Sequence, residues 1–277
     1  MSQAAVDAPR TGLAASSCRI GAMMRRYFYL LRASWPRILD IVYWPLVFML
    51  VWGFLQLHLG TVSSFYAAAP GLLIGAVLLW DMLLRSQLHF SFSFLEEMWS
   101  RNLGHLFMSP LTVNEFVAAL MLMSLVRLLV GLFPVVIVAK YAFGFDIFTL
   151  GWSLPLFFAN LVVTGWALGL ASAGTVLRFG LGAEGFVWSA VFVLLPIVCV
   201  YYPVSILPGW LQVIALAMPP THVFEGMRAV LLEHVVRADF LLYASLLNAL
   251  WLAAGFALFH YLLRSARRHG SLLQMGE

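Results

Sequence analysis

The sequence predicts an all-α membrane protein that crosses the bilayer six times. Hydrophobic residues make up 63% of its 277 residues and charged residues only 10%, whereas soluble domains have roughly 45–50% and 25%. Long runs without a charged residue recur along the chain, and a helix needs about 20 apolar residues to cross a bilayer. A soluble enzyme, a disordered chain and a nucleic-acid-binding domain are excluded, because a globular fold of this length could not bury so much apolar surface.

The uncharged runs place the predicted spans. The run 41–80 contains a polar turn near Gly60 and Ser63, so it divides into two spans. The third span has one charge, Arg127. Residues 1–39 are expected to form a cytoplasmic segment and residues 40–277 the transmembrane domain. The six predicted spans are 41–59, 68–88, 116–139, 154–177, 185–202 and 240–263.

The distribution of basic residues predicts the orientation. Twelve lie in the N-terminal segment, the second and fourth loops and the C-terminus, while Lys140, Arg228 and Arg237 lie on the opposite face. Basic residues favour the cytoplasmic side of a membrane, so both termini are expected in the cytoplasm. The first 40 residues lack the apolar core of a signal peptide, and no cleavage is expected.

The segment Cys18 to Trp35 predicts an amphipathic helix in the membrane interface. Arg25, Tyr29 and Arg32 share one side, and Pro36 is expected to end the helix. A basic flank that happens to be helical is the alternative. The apolar side carries Ile20, Met24, Phe28, Leu31 and Trp35.

The loop after the second span predicts a cytoplasmic helix over 95–107. Its apolar residues have helical spacing, with Glu96, Glu97 and Arg101 beside them, and Thr112 to Glu115 has the spacing of a capping box that opens the third span. The apolar face of this helix needs either the membrane interface or a soluble partner, and the residues leave both open.

The segment between the fifth and sixth spans is too apolar for a solvated loop. Proline residues nevertheless prevent one continuous span, and Leu207–Met218 would cover only about 18 Å as a helix. Two short re-entrant helices, 209–217 and 221–233, are therefore expected within 203–233, dipping into the outer leaflet. Glu225 and Arg228 can pair at i and i+3.

Two charges are expected inside the bundle. Asp81 and Arg127 lie on antiparallel neighbouring spans and could pair at similar depth, while Arg85 is expected to extend to the inner surface. A structural ion pair is the simplest interpretation. The alternative function for the chain is an ion-coupled secondary transporter or channel that uses Asp81 and Arg127.

The sequence has none of three common catalytic and nucleotide-binding motifs. It contains no HExxH, no GxSxG and no GxxxxGK[ST], so no catalytic residue, metal site or cofactor is expected in this chain. If ATP drives the protein, a separate chain must hydrolyse it.

Two segments resemble a known family. FLEEMWSRNLGHLFMSPLTVNEF, at 94–116, looks like a coupling segment that ends in Ser-Pro-Leu, although relatives often have Thr at the position of Asn102. YYPVSILPGWLQVIALAMPPTHVFEGMRAVLL, at 201–232, looks like the second signature of the family. Over about residues 20–265 the chain resembles the permease subunit of ABC-2 type (type V) ABC exporters.

The resemblance implies partners and functional residues. Two permeases, identical or related, would pair in the bacterial inner membrane above two separate P-loop ATPase subunits that hold ATP-Mg. Amphipathic, lipid-linked or glycan-type substrates would leave the cytoplasm or inner leaflet. The implied ATPase-coupling residues are Leu95, Glu96, Glu97, Trp99, Arg101, Leu103 and Leu106. The implied outer gate comprises Pro203, Ser205, Pro208, Trp210, Pro219, Thr221, His222, Glu225 and Arg228.

Overall fold

A computed structural model describes residues 12–63 and 71–268, and within these ranges the chain folds into α-helices joined by short turns, without strands. The helices are α1 Leu13–Arg32, α2 Trp35–Val62, α3 Leu72–Trp99, α4 Leu103–Met108, α5 Val113–Phe143, α6 Ser153–Phe179, α7 Gly185–Phe192, α8 Gly209–Leu216, α9 Pro219–Arg228 and α10 Ala238–Arg268. A π-helical turn, Ala229–Glu233, continues α9.

Five of these helices are long and apolar enough to cross a membrane: α2, α3, α5, α6 and α10. They correspond to the first four predicted spans and the sixth, and the first residues predicted for the second span lie outside the described residues. Each helix is longer than its predicted span, because charged and polar turns continue it beyond the apolar run. The chain is therefore a multi-pass α-helical membrane protein.

The fifth predicted span is not a continuous helix, and that expectation was wrong. Helix α7 ends at Phe192, and hydrogen-bonded turns follow it as far as Val198. Pro196 explains the end, because it has no N–H to donate to the carbonyl of Phe192 and its ring clashes there. Cys199 then adopts a left-handed conformation, with φ of 57°.

Helix α3 is the centre of the bundle, and almost every one of its residues is buried. It packs against α2, α5, α6 and α7. Gly165 and Gly169 of α6 lie directly against α3, since an added Cβ would lie 2.6 Å from the side chains of Ser86 and Phe90, respectively. Small residues let two helices approach in this way inside a membrane.

Helix α1 packs on α5 and differs in detail from the predicted interfacial helix. Its buried face carries Met23, Tyr27 and Leu31, whereas Phe28 and Trp35 are exposed. Pro36 does not end α1. It lies in the first turn of α2, a position where proline costs no helical hydrogen bond.

Candidate functional site

A cleft of about 720 Å³ lies between α2 and α7, with one face of α3 as its floor. Trp44 and Phe48 of α2 and Trp188 and Phe192 of α7 supply aromatic walls. The floor residues recur at helical spacing along α3. Arg127 of α5 also lines the cleft. The floor residues are Leu84, Arg85, Leu88, His89, Phe92, Glu96 and Trp99.

A smaller cavity of about 120 Å³ adjoins the cleft and shares Phe48, Leu84 and Phe192 with it. Among the described residues that line it, Asp81 is the one with a charge, and the others are apolar or aromatic. The two spaces together run along the buried face of α3 from Trp99 to Val77. An amphipathic molecule in these spaces would contact charged groups at several positions along α3 and aromatic rings between them.

Asp81 pairs with Arg85 of its own helix, and the expected Asp81–Arg127 pair is absent. The Nε–H of Arg85 donates to Oδ1 of Asp81 at 3.0 Å, and both side chains are buried. Arg85 therefore does not extend to the inner surface as expected. The i,i+4 spacing explains the result, because it places both groups on one face of a helix.

Arg127 instead reaches Glu96 near the end of α3, with a nitrogen–oxygen distance of 3.2 Å. Arg37 approaches the other oxygen of Glu96 at 3.7 Å. Glu96 thus lies between two cations from α2 and α5. The juxtaposition of Asp81 and Arg127 on which an ion-coupled transporter would depend is not present.

The carboxylate of Glu97 binds side chains of this chain, contrary to its implied role as an ATPase-coupling residue. Arg26 of α1 donates two hydrogen bonds to its carboxylate, and the side-chain amide of Asn102 donates a third at 2.7 Å. Only 1% of the Glu97 side chain is exposed. Burial raises the pKa of the adjacent Tyr27 hydroxyl, and the negative charge of Glu97 adds to this shift.

The predicted cytoplasmic helix 95–107 is divided in two. Helix α3 continues through Trp99, a turn with Arg101 at φ of 53° follows, and α4 starts at Leu103. Leu95 and Leu103 are fully buried in the core of the chain itself, so they do not fill a groove of a partner. Leu106 is half-buried, whereas Trp99 and Arg101 are exposed.

The predicted capping box at the start of α5 is confirmed. The N–H of Glu115 donates to Oγ1 of Thr112, and Oε2 of Glu115 accepts from the N–H of Thr112 at 2.9 Å. Glu115 also accepts two hydrogen bonds from Arg19 of α1, at 2.9 and 2.5 Å. One carboxylate therefore caps α5 and holds α1 beside it.

On the predicted outer side, Arg228 binds the irregular segment after α7. Its guanidinium donates to the carbonyl oxygens of Cys199, Val200 and Tyr202. It also pairs with Glu225 at 3.2 Å, as the sequence predicts. Glu225 in turn accepts a hydrogen bond from the N–H of Val204 at 2.8 Å.

The half-helices of this segment have nearly the expected bounds. Pro208 directly precedes α8, and Pro219 is the first residue of α9, positions where a missing N–H costs nothing. Pro203 precedes a single 3₁₀ turn, Val204–Ile206.

The gate residues of this segment differ in accessibility. Ser205 and Trp210 are exposed. Thr221 is completely buried, and His222 is buried with Nε2 2.8 Å from the carbonyl oxygen of Leu216. Of the implied gate residues, Thr221 and His222 are therefore packed inside the bundle with the first turn of α9 and are not exposed to solvent.

Sequence reasoning missed the arginine residues of α1 as structural contacts. Arg19 and Arg26 lie seven residues apart, which is two helical turns, so they share a face that meets α5 and α3. That spacing was available in the sequence, but their acidic partners are 96 and 71 residues away. The role of His89 in the cleft has no comparable sequence signal.

Two comparisons with known proteins complete the description of the site. A search of curated proteins gives no match. The sequence model of the family described as ABC-2 type transporter matches residues 19–232, which include most of α1, the cleft and α8 to α9. The chain belongs to the ABC-2 type transporter family and is a transmembrane permease of that family.

Proposed function

We propose that this chain is the permease subunit of an ATP-driven exporter that moves an amphipathic, lipid-linked or glycan-type substrate out of the cytoplasm or inner leaflet. The observation that carries the proposal is the family match across a bundle that contains a charged, aromatic cleft. Because the sequence has no P-loop, ATP-Mg would bind and be hydrolysed on two copies of a separate ATPase subunit.

The proposed topology has six crossings with both termini in the cytoplasm of a bacterial cell, whose inner membrane holds the protein. In this topology α7 and the turns after it form the fifth crossing. Irregular backbone is tolerated at membrane depth when it is buried in protein. Val198, Cys199 and Val200 are buried, and Arg228 satisfies two of their carbonyl oxygens.

The ATPase is proposed to dock on the turn between α3 and α4. Trp99, Arg101 and His105 are exposed there, while the buried contacts behind them tie the turn to α1 and to the cleft floor. Movement of the turn would reach Glu96 and Glu97 directly. Through Arg37 and Arg127 it would shift the cleft, and through Arg26 it would shift α1.

The outer gate is proposed to be formed by α8, α9 and the 3₁₀ turn before them. Pro203, Pro208 and Pro219 set where the backbone bends, and the Glu225–Arg228 pair holds those bends together. A second permease, identical or related, would complete the passage.

Isolation from native membranes tests the proposal. A P-loop ATPase identified by mass spectrometry in the purified complex, with ATP hydrolysis, is the expected result. Arg101→Glu should reduce recovery of the ATPase several-fold, because it inverts an exposed charge of the docking turn. Arg264→Glu, an exposed change on α10, is the matched control. Purification without any ATPase would contradict the proposal.

A further inference from the structure

We propose that the cleft binds the acidic headgroup of an amphiphile, a phosphate or a carboxylate, at Arg85, His89 and Arg127. This inference rests on the proposed transport function and specifies the substrate class for the same cleft. The aromatic walls would hold the apolar part of the molecule. The subsite is defined by these three side chains, two on α3 and one on α5.

The three groups all line the cleft, Arg85 and His89 from its floor on α3 and Arg127 from α5. Arg85 and His89 are four residues apart on α3, which places them one turn apart on the same face. All three side chains line the cleft, and all three are more than nine-tenths buried.

The subsite has more hydrogen-bond donors than acceptors. An arginine has five N–H donors, yet among the described residues Arg85 makes one hydrogen bond, to Asp81, and Arg127 makes one, to Glu96. Nε of Arg127 is a buried donor without a hydrogen-bond partner in the described part of the chain. Nδ1 of His89 is also buried without a partner, and it donates to an anion only in the tautomer that carries its proton. A buried donor without an acceptor is costly, so an anion would supply what the site lacks.

The carboxylates of the cleft do not provide that acceptor. Glu96 is already held by Arg37 and Arg127, and Asp81 by Arg85. Asp40 and Glu184 also line the cleft, but Asp40 is exposed and Glu184 is only half-buried, so water can solvate both. Buried donors without acceptors favour an anion over a cation for the deep part of the cleft. Guanidinium groups bind phosphate and carboxylate with paired, charge-assisted hydrogen bonds.

The aromatic residues favour an amphiphile over a free anion. Trp44, Phe48, Trp188 and Phe192 face each other across the cleft and remain 42 to 47% exposed. Large exposed aromatic surface beside buried cations matches a molecule with an acidic head and an apolar chain. Inorganic phosphate would contact the cationic side chains but leave the aromatic walls uncovered.

Photocrosslinking of the full chain in lipid nanodiscs tests the inference. A photoreactive dodecyl phosphate should label α2 and α7 at least about tenfold more than the matched photoreactive dodecyltrimethylammonium. Unlabelled dodecyl phosphate should compete, and inorganic phosphate at the same concentration should not. Equal or stronger labelling by the ammonium probe would overturn the inference. Equal competition by inorganic phosphate would overturn its amphiphile part.

Variants locate the subsite. Arg127→Gln, and Asp81→Asn with Arg85→Gln, should each reduce phosphate labelling about tenfold, while Arg85→Lys should keep part of it because it keeps the charge. Arg237→Gln, on an exposed pair outside the cleft, is the control. Unchanged labelling in both cleft variants would overturn the assignment. If either variant does not elute as a folded protein, the inference is judged by the relative labelling of the unaltered chain with the phosphate and ammonium probes.

The same preparations separate this inference from the proposed function. ATPase recovery and ATP hydrolysis are measured beside the labelling. An active complex whose cleft prefers the ammonium probe would leave the permease assignment intact and overturn the acidic-headgroup inference. Preferential phosphate labelling in a chain that recruits no ATPase would support the subsite and contradict the transport proposal.

Discussion

Arg26 and Glu97 make an ionic contact between α1 and the end of α3, and Glu97 is the more deeply buried of the two carboxylates that ion-pair with α1 among the described residues. The Glu97 carboxylate is 1% exposed and accepts from both Arg26 and Asn102. A buried carboxylate that loses its cation keeps its desolvation penalty. The contact therefore fixes where α1 lies relative to the turn between α3 and α4.

Replacement of Arg26 should loosen the end of α1 that meets Glu97. Arg26→Gln is expected to destabilise the protein by about 1–3 kcal/mol, the range for leaving a buried group without its hydrogen-bond partner, and to expose α1 to limited proteolysis. Arg25→Gln changes the neighbouring exposed arginine and should have little effect. Identical thermal unfolding and proteolysis of the two variants would show that the contact does not hold α1.

Arg228 is the second side chain whose contacts lead to a prediction. Its guanidinium donates to the carbonyl oxygens of Cys199 and Tyr202, which lie in the segment without regular helix after α7. Arg228→Gln should leave these carbonyls unpaired and loosen Cys199, which is fully buried. In a Cys18→Ser background, modification of Cys199 by a membrane-permeant maleimide is expected to accelerate at least about tenfold. Arg237→Gln should leave the rate unchanged. A slow rate in both variants would count against the proposed contact.

At the residue scale, the sequence predicts local contacts well and distant ones poorly. Thr112 with Glu115 and Glu225 with Arg228 were found because three-residue spacing alone brings them together. Arg127 with Glu96 was missed because their contact depends on how α3 and α5 pack. The incorrect Asp81–Arg127 pair was inferred from similar depth in the membrane, although Arg85 lies four residues from Asp81 on the same helix and pairs with it instead.

At the scale of elements, glycine residues set the distance between α3 and α6. Gly165→Ala would place a Cβ 2.6 Å from Oγ of Ser86 and 2.9 Å from the backbone nitrogen of Gln87. Because backbone cannot move aside cheaply, we expect a loss of about 1–3 kcal/mol in thermal unfolding. Gly21→Ala in α1 meets nothing within 4 Å and should be neutral or stabilising. A neutral Gly165→Ala would contradict the packing.

Helix bounds were predictable wherever an apolar run coincided with a helix. The predicted spans 154–177 and 240–263 lie inside α6 and α10. Hydropathy failed at 185–202, where the run is apolar throughout but Pro196 ends α7. It also failed at 95–99, where a polar, amphipathic stretch continues α3 instead of starting a new helix.

At the scale of the whole molecule, the outer segment should distinguish accessible from packed positions. With Cys18 and Cys199 removed, Ser205→Cys should react with an impermeant thiol reagent applied from outside, because Ser205 is exposed. Thr221→Cys should not react, because Thr221 is fully buried. Labelling of Ser205→Cys only from the cytoplasmic side would invert the proposed topology, and labelling of Thr221→Cys would contradict the packing of α9.

The central claim is that ATP used by a partner subunit changes the cleft, and a single-cysteine rate measurement tests it most directly. Glu184→Cys places a thiol at the cleft, and Arg264→Cys places an exposed one on α10, outside the cleft. In the complex with its ATPase, addition of ATP should change the modification rate of Glu184→Cys several-fold and leave that of Arg264→Cys unchanged. Equal rates with and without ATP at Glu184→Cys, in a complex that hydrolyses ATP, would contradict the claim.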